Sequence, residues 1–355
     1  MEPSTILQGA AATFVAARQV GTLATADASG VPSLVPICYA WDGAELWVAL
    51  DAKPKRVSDP LRLRRVRNIL ARPQVAVVVH DYLAGAWAEL AHVQIRGVAR
   101  IVPPEAPAHA AAMTLLRAKY PPYQAMPIAQ RPAIAIQPTQ VTTWGAVAER
   151  ANRPATWEAT LTGRRSVRRF ADRPVQRDQI ERVLGAGQWA PSPHGRQPWR
   201  FLVLTHQTSK DRLASAMGAE WQATLAQDGE AAEVVAQRMA NSRERIRTAP
   251  ALIVPCLYLA DLDTYPDAAR QLAETTMAVQ SMGAAIQNML LAAYYEGLDM
   301  GWMCAPLFCQ EVVQAALDLP ANWLPQALLP LGYAAADPKR RPRRPLGEMV
   351  RWDGE

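Results

Sequence analysis

Gly163-Arg164-Arg165-Ser166-Val167-Arg168-Arg169-Phe170 is the stretch on which the reading of this chain turns. Before it the chain reads as mostly β strand; from Thr156 the pattern becomes helical. At about 150 residues per domain, 355 residues predict two domains. The change of pattern divides them into a first domain over 1–146, a linker over 147–155 and a second domain over 156–355. Within the run, Gly163 can terminate a helix. Arg164 and Arg168, with the hydroxyl of Ser166 between them, can surround one phosphate dianion through paired guanidinium donors. Taken alone, such a run reads more readily as a solvated basic face. A second basic run, Arg340 to Arg344, leads into Leu346, and the two can converge on one ligand.

Composition narrows the class. Hydrophobic residues make up 50% and charged residues 20%, so two cores can be buried and a disordered chain is excluded. The net charge of +6 is modest and clustered, at Lys53–Arg67, Arg164–Arg169 and Lys339–Arg344. That distribution suits phosphate or carboxylate ligands rather than nucleic acid. The four cysteines, Cys38, Cys256, Cys304 and Cys309, form no CxxC, and the five histidines form no H-x3-H. Neither a metal site nor a disulfide framework is expected. The N-terminus has no basic segment followed by an apolar core, and no apolar run reaches 18 residues. The expectation is a cytoplasmic protein without a membrane span.

The first domain reads as mostly β. Apolar runs at 20–26 and 31–40 flank Asp27-Ala28-Ser29-Gly30, a hairpin signature. Further strands are expected at 44–50, 73–80, 92–102 and 133–142, with helices near 60–71 and 105–119. Five or six short strands at this spacing favour a small antiparallel barrel. In the second domain, helix is expected at 178–186 and 272–294, and strand at 199–205 and 251–259, giving an α+β fold. The long helix is apolar or small on most sides and should be largely buried.

Gly185-Ala186-Gly187-Gln188-Trp189-Ala190 matches a dinucleotide fingerprint, but a helical segment precedes it and Pro191 follows it. The better reading is a helix end packed through small residues. Pro191-Ser192-Pro193-His194-Gly195-Arg196-Gln197-Pro198-Trp199 is a proline-stiffened loop entering a strand. It reads as an ordinary turn or as a wall for a flat ring. Gly297 is a C-cap candidate after the long helix, and Cys304 reads as a small buried residue rather than a nucleophile.

Together RRSVRRF, APSPHGRQPWRF, QNMLLAAYYEGLDMGW, LLPLGYA and RRPRRPLGEMV resemble the nitroreductase superfamily over about residues 156–352. The resemblance implies an α+β nitroreductase-like fold, a homodimer and FMN bound between subunits. It implies the phosphate near Arg164, Arg165, Ser166, Arg168, Arg341 and Arg343. It sets the ring against Ser192, Pro193, His194, Gly195 and Gln197 and against the Cys304-Ala305 turn. The family's loop has an asparagine where this chain has Gly195 and a second serine where it has Pro193; His194 can replace the lost hydrogen bond. That loop, the Phe308–Pro320 stretch and Asn322-Trp323 resemble the nitroreductase-like domain of the coenzyme F420 biosynthesis enzyme. This implies reduction of dehydro-F420-0 to F420-0 by hydride transfer from flavin N5. Alternatives are a general nitroreductase or ene-reductase, F420-linked or not, and a non-catalytic flavin-binding protein. Arg196 and Arg200 are candidates for a polyanionic deazaflavin substrate.

GTLATADASGVPSLVPICY, DAKPKR, RLRRVRNILARPQVAVVVHDY and TTWGA resemble the split β-barrel flavin and deazaflavin oxidoreductases related to pyridoxamine phosphate oxidase. An N-terminal antiparallel split β-barrel follows, with Lys55, Arg65 and Asn68 where that family meets a cofactor's anionic tail. Coenzyme F420 is then a substrate or a second cofactor.

Overall fold

The computed structural model describes residues 6–51, 59–82, 90–154, 156–227, 231–336 and 342–353. The chain divides into two compact units, Met1–Ala155 and Thr156–Glu355.

The first unit is built on one seven-stranded antiparallel sheet. Its strands are β1 (Val20–Ala26), β2 (Pro32–Cys38), β3 (Ala40–Trp41), β4 (Leu46–Ala49), β5 (Gln74–Asp81), β6 (Ala91–Val102) and β7 (Ala133–Gly145), in the order β2-β1-β5-β6-β7-β4-β3. The β1–β2 hairpin closes where the Asp27 carboxylate accepts from the amides of Ser29 (3.0 Å) and Val31 (3.0 Å). Alternation along β6 buries Val93, Ile95 and Ala99 while Arg96 and Arg100 stay exposed. The strand bulges between Arg96 and Gly97, where a Cβ on Gly97 would meet the Gln137 carbonyl oxygen at 2.5 Å.

Four helices cover this sheet: α1 (Gly9–Ala17), α2 (Arg64–Ala71), α3 (Pro107–Lys119) and α4 (Val147–Arg150). Phe14 of α1 and Val66 and Ile69 of α2 join Leu23, Val77 and Ile134 in one core. Met113 and Leu116 of α3 pack with Trp47 and Tyr123 in a second. The helix expected over 60–71 is split into a single turn at Pro60–Arg62 and α2, because Leu63 between them is extended.

One boundary needs correction. The stretch expected as a linker at 147–155 is packed structure through its first part: Val147 and Ala151 belong to the first unit's core, and Arg150 and Arg153 are buried. Its polar composition hid this, because the buried charges are paired within that unit. Arg150 donates to Asp81, as does Arg18.

The second unit contains α5 (Trp157–Gly163), α6 (Arg177–Gln188), β8 (Trp199–Leu204), α7 (Gln207–Gln227), α8 (Ala232–Arg247), β9 (Ala251–Tyr258), α9 (Ala268–Tyr295), β10 (Asp299–Met300), α10 (Gln310–Leu317), β11 (Trp323–Pro325) and β12 (Leu329–Gly332). Buried β9 pairs antiparallel with β8, β11 and β12, and β10 pairs with β12. Met282, Ile286, Met289 and Ala293 of α9 lie in the core against it. The glycine-rich fingerprint falls inside and just beyond α6. A Cβ on Gly187 would meet Met289 Cγ at 3.0 Å, so the glycine serves helix–helix contact.

One expectation fails here, and one feature was missed. The N-terminal part of α9 is not buried on most sides: Leu272 is 67% and Val279 44% exposed. The pair α7–α8 was not anticipated, because its buried apolar side chains are sparse, Leu213, Ala214, Met217 and Leu225 on α7 and Val235 and Ile246 on α8 among the described residues. Among the described residues, no helix is long and apolar enough to cross a membrane.

Candidate functional site

The arginine run leaves α5 as extended chain. Its backbone is pinned beside β10, with Ser166 bridged to Met300 and the Val167 amide donating to the Met300 carbonyl (3.3 Å). The next residue on that side must be glycine, since a Cβ on Gly301 would lie 2.4 Å from the Val167 carbonyl oxygen. Val167 is buried, whereas Ser166 and Arg168 are exposed.

Arg164 is half-buried, and its Nε is enclosed without a hydrogen-bond partner. Nε and Nη2 of Arg165 are in the same condition, while its Nη1 donates to the carbonyls of Thr162 and Arg164. Burial and the nearby charges of Arg343 and Arg165 pull the Arg164 guanidinium below its ordinary range. The structure thus brings Arg164, Arg165 and the exposed Arg343 together, three cations of which Arg164 and Arg165 carry enclosed N–H groups lacking acceptors. A guanidinium cannot shed its proton to relieve such crowding. A phosphate dianion supplies both the missing acceptors and the missing charge, so these residues fit the phosphate of a mononucleotide. Arg341 lies outside the described residues.

The Ser192–Pro198 loop is conformationally strained. His194 (φ 55°), Gly195 (φ 66°) and Gln197 (φ 49°) are all left-handed. Two of the three non-glycine residues with positive φ among the described residues fall in this loop. Strain concentrated in this way marks functional sites. The Ser192 hydroxyl oxygen accepts from the Gln197 amide (3.0 Å), and Pro193 borders a small cavity against α9. The His194 and Gly195 positions are exposed. Arg196 and Arg200, expected as substrate cations, are already engaged. Arg196 pairs with Asp263, and Arg200 pairs with Asp261 and lies 4.1 Å from the Tyr258 ring centroid.

The turn after β10 differs from expectation at Cys304. The thiol is exposed rather than buried, because Cys304 leaves the sheet to cap a single turn over Ala305–Phe308. Ala305 is exposed beside it. Phe308, on the same turn, is 89% exposed, and Trp189, at the end of α6, is 87% exposed. Gly297 is left-handed (φ 77°) just past α9, as a C-terminal cap requires.

The N-terminal candidates separate. Lys55 lies outside the described residues. Asn68 is buried, its amide donating to the Thr25 hydroxyl (3.0 Å), so it braces α2 on β1 instead of facing a ligand. Arg65 is half-buried with an unpartnered Nε, and burial pulls its guanidinium below the ordinary range against the opposing charges of Asp51 and Tyr123. No group of three or more histidine, cysteine, aspartate or glutamate side chains suited to a metal ion occurs among the described residues. The residues that sequence reasoning missed are Glu274 and Asp263, which support the strained loop; nothing in their spacing signals it.

Comparison with known proteins agrees with both units. The nitroreductase family model matches residues 161–333, and the pyridoxamine 5'-phosphate oxidase model matches residues 7–145. A 5,6-dimethylbenzimidazole synthase of Rhodospirillum rubrum is 29% identical over 198 residues, 55% of this chain and 86% of that protein. Among solved structures, a BluB-like flavoprotein from Clostridium difficile is 21% identical with a TM-score of 0.49, over 56% of this chain and 99% of the other. An NADPH:FMN oxidoreductase from Vibrio harveyi, solved with NAD+, is 20% identical with a TM-score of 0.42, over 56% and 77%.

Proposed function

We propose that this chain, a flavin-dependent oxidoreductase with a nitroreductase domain over residues 161–333, holds FMN in that domain and reduces small conjugated acceptors such as nitroaromatics. The observation that carries the reading is the cluster of Arg164, Arg165 and Arg343, in which the enclosed N–H groups of Arg164 and Arg165 lack acceptors. FMN, when bound, supplies the two-electron chemistry, and the protein's share is position, dryness and charge. Arg164, Arg165 and Arg343 bind the phosphate, with Ser166, Arg168 and Arg341 beside them in sequence. The Ser192–Gln197 loop, including Pro193, His194 and Gly195, and the Cys304-Ala305 turn wall the ring. We take the working unit as a homodimer, since Trp189 and Phe308 leave large apolar surface uncovered.

The narrower reading, reduction of dehydro-F420-0 to F420-0, draws on the Ser192-Pro193-His194 loop. That substrate is polyanionic, and the engagement of Arg196 and Arg200 with aspartates weighs against them as its ligands. In the N-terminal unit, taken here as a split β-barrel, the unpartnered Nε of Arg65 favours an anionic tail such as that of F420.

The test is direct. Purified protein reconstituted with FMN should show a bound-flavin spectrum, and after reduction a nitroaromatic should reoxidise it. Reoxidation by dehydro-F420-0 as well would select the narrower reading. Bound flavin that neither acceptor reoxidises would make the chain a flavin carrier. Failure to take up FMN would overturn the proposal.

A further inference from the structure

Arg196 lies in the strained loop but points its bonds away from it. Within the loop, the Gly195 amide donates to Ser192 (3.0 Å), the Arg196 amide to Pro193 (3.2 Å) and the Trp199 amide to Gln197 (2.7 Å). The first two bonds curl the loop on itself, while its C-terminal end is tied to the sheet, where Trp199 begins β8, Arg200 Nη1 donates to the Gln197 carbonyl (3.4 Å) and the Tyr258 amide donates to the Pro198 carbonyl (3.1 Å). The middle of the loop is tied outward by Arg196. Its Nη1 donates to the Asp261 carbonyl, and its Nη2 to Asp263 Oδ1 (2.7 Å).

The acceptor segment is itself anchored on α9. The Asp263 amide donates to Glu274 Oε1 (3.4 Å), the Tyr265 amide to Gln271 Oε1 (3.0 Å), and Asp267 caps the helix by accepting from the Arg270 amide (2.9 Å). Glu274 is 4% exposed. Pro193, Pro198, Leu262 and Met277 close around Arg196 and Glu274, leaving a cavity of about 10 Å³, about the room of one water. Arg196 and Glu274 line the same cavity, so the loop and the α9 anchor meet there. Left-handed non-glycine residues persist only where their surroundings over-determine them.

We propose that Arg196, anchored through Asp263 to the buried Glu274, is the positioning residue that holds the Ser192–Pro198 loop in its left-handed form and so sets the wall beside the flavin ring. The clause about the ring rests on the function proposed above; the clause about the loop does not.

The test uses the full chain, first without flavin. In Arg196→Ala, hydrogen exchange at the Gly195, Gln197 and Trp199 amides should quicken about tenfold or more, while β9 stays protected. Arg196→Lys should recover part of the protection. If Arg196→Ala does not fold, Asp263→Ala removes the acceptor without touching the loop and should give the same pattern. Unchanged exchange would overturn the brace. With FMN loaded, Arg196→Ala should keep flavin stoichiometry, because the arginine cluster is intact, but shift the visible flavin band and lower kcat more than it raises KM. Faster exchange with an unaltered band and unaltered kcat would overturn the wall. A wild-type chain that takes up no FMN would instead sink the proposed function, with the exchange result still deciding the brace.

Discussion

Each unit of this chain gathers arginines, and the two groups are resolved in opposite ways. In the N-terminal unit, Arg18 and Arg150 are 3% and 2% exposed and both donate to Asp81. Arg18 also donates to the Arg150 carbonyl (2.9 Å). Burial pushes the Asp81 carboxyl up, but the hydrogen bonds and charges of the two arginines outweigh it and hold it below its usual range. In the C-terminal unit, Arg164 faces Arg343 and Arg165, and those charges add to burial in disfavouring its own. The first group has its anion within the chain, although Arg18 Nη1 is left without an acceptor; among the described residues the second shows no carboxylate paired with it, the arrangement that the phosphate proposed above would complete.

If that contrast holds, the largest effect belongs to the unpaired group. Arg164→Ala combined with Arg343→Ala should weaken FMN binding by about two orders of magnitude or more, each charge-assisted contact being worth about 1.5–3 kcal/mol. Fluorescence titration of the apoprotein measures it. The same double variant should leave apoprotein stability unchanged or raised, because mutual repulsion is removed. Full flavin retention, or a clear fall in apoprotein stability, would break the contrast by making these arginines structural.

The paired group should behave inversely. Asp81→Ala strands two buried guanidiniums and should cost about 3–5 kcal/mol in urea unfolding of the first unit, with flavin affinity of the second untouched. The pH dependence has a definite sign. The folded Asp81 pKa lies below the unfolded value, so its contribution is present above about pH 4 and is lost as pH falls through the folded value. Comparing acid unfolding of wild type and Asp81→Asn isolates that limb. Coincident acid limbs would show that the carboxylate carries no such coupling.

What was legible in the sequence follows the same division between self-contained and externally completed features. Period two exposed β6, the turn cluster at 27–30 exposed β1 and β2, and a nearly continuous valine run exposed β5, because short strands write their own local pattern. Gly163 and Gly297 marked helix ends for the same local reason. The arginine run was legible as chemistry because guanidinium and hydroxyl donors sit together within five residues. The packing of 147–154 was not, since Arg150 finds its carboxylate 69 residues away. Cys304 was misjudged because composition says small and apolar, whereas exposure depends on where the chain leaves the sheet. Asn68 was assigned to a ligand because spacing along a helix does not reveal that Thr25 on β1 takes its amide. Arg196 was offered to a substrate because its aspartate partners stand 65 and 67 residues downstream.

The smallest predicted effect sharpens the contrast most, because it separates burial from ligand demand. Lys119, at the end of α3, has an enclosed Nζ without a hydrogen-bond partner, 4.2 Å from the Tyr39 ring centroid. Burial pulls its amine down to about 8, against a smaller opposing pull from Cys38. An amine, unlike a guanidinium, escapes an unpaired buried charge by releasing its proton, and the aromatic face stabilises what charge remains. Between about pH 8 and its unfolded value near 10.4, the unfolded chain holds a proton that the folded chain lacks, so stability should climb with pH across that window. Lys119→Met should abolish the climb yet change stability at pH 7 by only about 1 kcal/mol, the lost cation–π contact being offset by relief of desolvation. Denaturant titrations at a series of pH values measure both. A climb that survives the substitution would mean that another group titrates there. A loss of several kcal/mol at neutral pH would mean that Lys119 has an anionic partner after all, placing it with Arg18 and Arg150 rather than between the two groups.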